Sequence, residues 1–318
     1  MSGHALQQVI VIPRNGYINR LQAWASASIL GDALGVVTRL LWEPDAVAPT
    51  AAEELFEPAF LEALSISRAE VDLLLACDHE VLPRYLSTLP ARRALVLAGH
   101  DRGEQVFMPQ LFELIAGDAS LTSLVIIAGG QFHAPTAHDF DRSRRVFYQS
   151  LHWNLALDSR VQAELKGRDP FLAAHIRQTD RSLTAPTTTT VRDALAKLHK
   201  QTQLRSLFVA ADTANARDQW HDIARGLGLD PWSVQDQSQD RSSGSGGVSA
   251  MVDWRLLGAA QGLVYSKESS FGHEAATVIG SSQQTIGLTA TNGVQRARAM
   301  KQLVNSALTY PRRHFRTQ

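Results

Sequence analysis

The chain has 318 residues, with 31 Lys and Arg set against 31 Asp and Glu. That length exceeds an ordinary open-sheet domain and suits two of about 150 residues. The even charge gives no global field for nucleic acid or an anionic membrane, so an anionic ligand must meet a local cluster.

The first predicted strand is VIVIP, residues 9–13, short and apolar throughout as in a buried parallel sheet. A turn, RNGYIN, leads into an Ala- and Leu-rich helix over 21–34 that stops near Gly35. VVTRLLW, residues 36–42, is the next strand, which completes the repeating unit of a doubly wound sheet. FLEAL and AEVDLLLA read as short helices, or as a helix and a strand. RALVLAG, 93–99, reads as a strand and QVFMPQLFELIA as a helix. SLVIIAGG is a strand or the end of a helical region, and 147–166 is helical.

A second series starts at DPFLAAHIR, 169–177, a strand. TTTTVRDALAKLHKQ is a threonine-capped helix, with Asp193 early and Lys197 and Lys200 late to match its dipole. SLFVAAD, 206–212, is a strand and NARDQWHDIARGLG a helix. The polar DQSQDRSSGSGGVSA reads as a loop. A helix over 251–260, a strand over 262–265, the helix GHEAATVIG, the strand QQTIGLT and a final helix with a basic tail complete the chain. The expected class is α/β, with two facing Rossmann-like domains and a cleft between them. The expected bounds are 1–155, 156–290 and a C-terminal helix and tail over 291–318.

One cysteine, Cys77, excludes an intrachain disulfide framework or a cysteine-rich zinc site and fits a reducing compartment. It lies in the apolar run VDLLLAC and reads as buried. The N-terminus has no secretory pattern, and no stretch approaches the roughly 18 apolar residues of a membrane span. A cytoplasmic protein with no membrane segment and no nucleic-acid partner is expected.

Ligands of open α/β sheets bind beyond the carboxyl ends of strands, and four polar clusters fall there. In PRNGYINR, Gly16 permits a tight turn and close backbone approach, while Asn19 and Arg20 sit near a helix start that favours an anion. The same turn can simply cap its helix, and it lacks the GxGxxG spacing of a dinucleotide site. In AAHIRQTDRS, His175 and Arg177 share one strand face, with Asp180 just beyond. Arg177 can grip a phosphate, His175 can donate to it, and Asp180 can take a proton; alternatively an Arg–Asp pair pins the turn. Asp212 ends a strand and can bind ribose or a base edge, or serve as a plain N-cap. In VYSKESSFGHEAA, Ser269, Ser270 and Phe271 precede Gly272 at a helix start suited to a pyrophosphate, with Lys267 and Glu268 nearby.

Other chemistries lack their signatures: there is no GxxxxGK[ST], no GxSxG and no HExxH. Asp139 and Asp141 form a D-x-D that reads as a solvated loop, and His133 and His138 do not complete a metal set.

The order of these clusters resembles the fucosyltransferase-like glycosyltransferases, which include the rhizobial nodulation enzyme, the core α1,6-fucosyltransferase and the protein O-fucosyltransferases. The similar pieces are GYINRLQAWASASILGDALG, LLWEPD, LFEPAF, AAHIRQTD, SLFVAADT and VDWRLLGAAQGLVYSKESSFGHEAA, spanning most of the chain. The resemblance implies a GT-B fold, GDP-fucose as donor and no catalytic metal or other cofactor. It implies that Arg177 holds the pyrophosphate with His175 beside it. It also implies that Asp212 contacts base or ribose, that Ser269, Ser270 and Phe271 form the phosphate-side loop, and that Asn19 belongs to the early turn. Ile18 stands where many members have glycine, and the absence of secretory signals looks bacterial.

The expected activity is inverting transfer of fucose to an acceptor hydroxyl on a glycan, protein or small molecule, with Arg177 and Asp180 as catalytic residues. A UDP- or ADP-sugar donor, a nucleotide-binding protein without catalysis, and an interaction protein docking through the Ser/Gly loop near Asp240 are the alternatives.

Overall fold

The structure, a computed structural model, describes residues 6–76, 79–82, 94–99, 121–132, 139–176, 186–234, 243–280 and 284–289. The readings made for Cys77, His133, His138, Arg177, Asp180, the loop near Asp240, the helix near 105–116 and the final helix lie outside these residues. The chain divides into two compact units. One is assembled from Met1–Asp169, Val234–Ala259 and Glu274–Ser281, the other from Pro170–Ser233, Ala260–His273 and Ser282–Gln318.

The first unit contains a parallel sheet in which β2 (Val37–Leu40), β1 (Gln8–Pro13), β5 (Ser123–Ala128), β4 (Ala94–Gly99) and β3 (His79–Leu82) lie in that order. β1 is buried almost along its whole length, as its unbroken apolar sequence requires. Ile10 and Ile12 face one core with Leu41, Ile66, Val71 and Val125. α1 (Tyr17–Leu34) starts four residues earlier than the apolar pattern suggests, and it ends as expected at Gly35 in the left-handed region, φ +68°. α2 (Ala52–Leu55), α3 (Pro58–Leu64) and α4 (Arg68–Ala76) follow β2, so both ambiguous segments there are helical. Trp24 is inserted among Phe56, Phe60 and Phe147 at centroid separations of 5.3–6.0 Å.

The stretch read as one helical region is two helices, α5 (Phe140–Gln149) and α6 (Leu155–Leu165). The D-x-D reading as a loop is corrected: Asp139 caps α5 by accepting from Arg142 N, and Asp141 lies in its first turn and pairs with Arg144.

The second unit opens with β6 (Leu172–Ile176), α7 (Thr188–Thr202), β7 (Ser206–Ala211), α8 (Ala214–Gly226) and β8 (Asp230–Trp232). α9 (Gly244–Ala259), which belongs to the first unit, precedes β9 (Gly262–Ser266), α10 (Ser270–Ile279) and β10 (Thr285–Leu288). The sheet is parallel, in the order β10-β9-β6-β7-β8. Counted from β6, this is the doubly wound order 3-2-1-4-5, and the chain reverses direction between β6 and β9. Leu172, Ala174 and Ile176 on one face meet Val191, Leu195 and Leu198 of α7 and Trp220 and Ala224 of α8. Each fully buried Leu, Ile or Val side chain of this core contributes about 1.5–3 kcal/mol. His175, between two of these positions, faces the opposite side.

One further local reading changes, and one strand goes unread in the sequence. The Ser/Gly-rich stretch read as a loop is helical from Gly244 onward. β8, with the sequence DPW, carries no strand pattern of its own and forms at the edge beside β7.

Candidate functional site

The switch point between β6 and β9 is where an open sheet offers a crevice at its carboxyl end. His175 stands there, 5% exposed, with Nε2 3.0 Å from Ser269 Oγ. Ser269, 2% exposed, sits at the entrance to α10, with its carbonyl accepting from His273 N at 3.0 Å and its own N–H donating to Ser266 O. Phe271 packs over the His175 ring at 4.9 Å. The end of one strand is thus pinned to the turn that follows its neighbour. Ser270, Phe271 and Gly272 form the first turn of α10, where backbone N–H groups have no intrahelical acceptor and the helix dipole favours an anion.

Gly272 makes this approach possible. A Cβ at that position would lie 2.7 Å from Tyr265 Cβ and 3.2 Å from His175 Cδ2. The helix start therefore rests directly on β9 and on the histidine. This was the part of the turn that its sequence did not disclose, because a glycine at a helix start reads equally as loop.

Asp212 follows β7 and is half-buried. The capping role weighed for it belongs to Thr213, whose Oγ1 accepts from Ala216 N at 3.1 Å. Arg177 and Asp180 follow the last described residue of β6, so the structure places His175, Ser269, Ser270 and Phe271 together and is silent on those two.

Gly16 and Asn19 belong to the first unit. The positive φ of the turn after β1 is at Asn15, +67°, while Gly16 is extended at φ −64°, ψ 162°. A Cβ at Gly16 would meet nothing within 4 Å, so internal packing does not demand glycine there. Asn15 Nδ2 donates to Gly129 O at 2.8 Å, joining the carboxyl ends of β1 and β5. Asn19 is half-buried in the first turn of α1. Arg20 is wholly buried: it donates to Asn15 O at 2.9 Å and Glu43 O at 2.6 Å, pairs with Asp45 at 2.7 Å and lies over Trp42. Burial pushes its pKa down, against the pull of Asp45. Arg20 braces the turn from behind.

No protein-family profile and no curated protein matches the sequence. Solved structures do match in fold. The fucosyltransferase NodZ from Bradyrhizobium is 18% identical, with a TM-score of 0.58 over 85% of this chain and 92% of that one. A mutant of Arabidopsis thaliana FUT1 in complex with GDP is 16% identical, with a TM-score of 0.60 over 88% of this chain and 70% of that one. POFUT1 in complex with GDP-fucose is 10% identical, with a TM-score of 0.51 over 91% and 99%. The chain has the fold of these fucosyltransferases. The α/β, GT-B-like class expected from the sequence is the observed one.

Within that fold, sequence reading missed a buried polar cluster in the first unit. Glu274, fully buried, accepts from Arg144 at 2.5 Å, Tyr148 at 2.7 Å and Gln22 at 2.7 Å. Desolvation, with the Glu274 charge adding to it, holds the Tyr148 phenol well above its usual range. The only signal was a lone glutamate in the apolar run GHEAATVIG. Among the described residues no group of three or more His, Cys, Asp or Glu side chains is placed to hold a metal, and no helix is long and apolar enough to cross a membrane.

Proposed function

We propose that this protein is a glycosyltransferase that moves fucose from GDP-fucose to an acceptor hydroxyl with inversion and without a metal. The observation that carries this reading is the His175–Ser269–Phe271 turn at the switch point of a sheet whose fold recurs in fucosyltransferases with GDP or GDP-fucose bound. The first-turn amides of α10 and Arg177 bind the pyrophosphate, and Asp212 contacts ribose or base. Gly16 and Asn19 contribute from the turn after β1. Residues 156–290 carry the donor and residues 1–155 the acceptor side. The lone cysteine supports a reducing, cytoplasmic setting.

In the reaction the acceptor oxygen forms a bond to the anomeric carbon as the bond from that carbon to the phosphate oxygen breaks. GDP departs with the electron pair, and Asp180 takes the acceptor proton. Arg177 and the helix-start amides stabilise the charge that develops on the pyrophosphate.

Calorimetry with GDP, UDP, ADP and GDP-fucose, with and without magnesium, tests the reading. Selective, metal-independent binding of GDP and GDP-fucose is expected. Arg177→Ala should weaken it by about 10- to 150-fold, the equivalent of roughly 1.5–3 kcal/mol for a charge-assisted contact. A preference for UDP or ADP replaces the donor, and no binding of any nucleotide overturns the proposal.

A further inference from the structure

α10 changes unit along its length: its first residues belong to the second unit, and from Glu274 onward it belongs to the first. Glu274 lies one turn beyond the start, about 6 Å from Ser270 along the axis at about 1.5 Å per residue. An anion accepted by the first-turn amides lies about 3 Å beyond them. The Glu274 carboxylate is therefore about 9 Å from the charge that the proposed nucleotide would bring. It is wholly buried, so little water stands between to screen it.

A carboxylate in that place steadies the helix dipole but repels an anionic ligand. Lys267 and Glu268, just ahead of Ser269, carry opposite charges and leave Glu274 as the excess. Arg144 answers it: its Nη1 donates to both carboxylate oxygens at 2.5 Å, and its side chain is wholly buried too. Tyr148 and Gln22 donate to the same carboxylate at 2.7 Å, but neither brings a charge that cancels it. Asp141, the second partner of Arg144, has a side chain 73% exposed, where solvent screens it. Arg145 fastens the carboxyl end of α10 separately, by donating to Thr277 O at 2.9 Å and Gly280 O at 3.3 Å. The helix thus keeps an anchor on α5 that does not pass through Glu274.

We propose that Arg144 is a charge-balancing residue for the nucleotide site: it cancels Glu274, so that the start of α10 presents a net positive end to a diphosphate. The inference rests on the nucleotide reading. Arg144 acts through Glu274 and not by contact with the ligand. A pair that only fills the core makes a different forecast: losing either partner damages the fold, and binding falls in both cases. Charge balance makes the two losses act on binding in opposite directions.

Calorimetric titration of the full chain with GDP at pH 8, beside urea denaturation of each variant, reads that sign. Arg144→Gln should weaken GDP binding by about 5- to 20-fold, the effect of one charge at about 9 Å through an effective dielectric of about 20–40. Arg144→Lys keeps the charge and should stay within about 2-fold of the native chain. Glu274→Gln should tighten GDP binding by about 5- to 20-fold, even though it destabilises the fold. Guanosine, which lacks the diphosphate, should bind every variant alike. Arg144→Met combined with Glu274→Gln strands no charge and should bind GDP within about 2-fold of the native chain. That double variant carries the test alone where a single variant does not fold, and a larger loss in it overturns the proposal. Loss of affinity in both single variants, or native affinity in both, overturns it as well and leaves the transferase reading standing. No GDP binding by the native chain overturns the transferase reading and this inference with it.

Discussion

His175 and His221 each place Nε2 about 3 Å from a serine hydroxyl, yet they do different work. His175 pins the turn that opens α10. His221 Nε2 meets Ser233 Oγ at 2.9 Å, and that hydroxyl donates to Val209 O at 2.7 Å, so the ring holds the end of β8 against β7. Burial first, then Arg225 and Arg217, pushes the His221 pKa below its usual 6.5. The folded chain therefore binds this proton less readily than the unfolded chain does. The stability associated with the neutral ring is complete above pH 6.5 and is lost as pH falls through the lowered pKa. Thermal melts between pH 7.5 and 5 should show a falling midpoint, and His221→Gln should flatten that slope. An unchanged slope would remove His221 as the cause. At this scale the sequence was most ambiguous where neighbours share a chemistry. Asp212 and Thr213 are both good caps, and only the structure shows that Thr213 takes the role. Asn15 and Gly16 both tolerate positive φ, and the turn uses Asn15.

Elements were legible wherever local pattern and tertiary packing agree. β1, β5, β6, β7 and β9 are apolar and β-branched or Ala-rich, and all five form within a few residues of where their pattern places them. The start of α9 was hidden because SGSGG has poor intrinsic helix propensity. Packing overrides it: a Cβ at Gly247 would lie 1.9 Å from Thr50 Oγ1 and 2.2 Å from the Tyr17 hydroxyl, so only glycine lets the helix approach. Gly272 in α10 obeys the same rule. Alanine is intrinsically better in a helix by up to about 1 kcal/mol, whereas overpacking costs about 1–3 kcal/mol. Gly272→Ala should therefore lower the urea midpoint and weaken GDP binding together. A stabilised variant with native GDP affinity would show that the contact with Tyr265 and His175 does not matter.

Across the whole molecule, the chain order of elements revealed two β/α series, but it could not reveal that each unit is discontinuous. Glu274 lies in the second series and belongs to the first unit, where it meets Arg144. Both side chains are fully buried, and removing one partner of such a pair costs about 3–5 kcal/mol; without Glu274, Arg144 keeps only the exposed carboxylate of Asp141. Glu274→Gln should be strongly destabilising in urea denaturation, and adding Arg144→Met should recover much of the loss. A single variant as stable as the native chain would contradict the packing described. The pair also sets a schedule. Arg144 and Glu274 are 130 residues apart, and synthesis at about 5–20 residues per second leaves roughly 7–26 s between them. For that interval Arg144 has only the exposed Asp141, three residues before it, as a carboxylate partner, and its buried counter-charge is not yet made, so the completed chain, and not its first half, is what commits this unit to its final core.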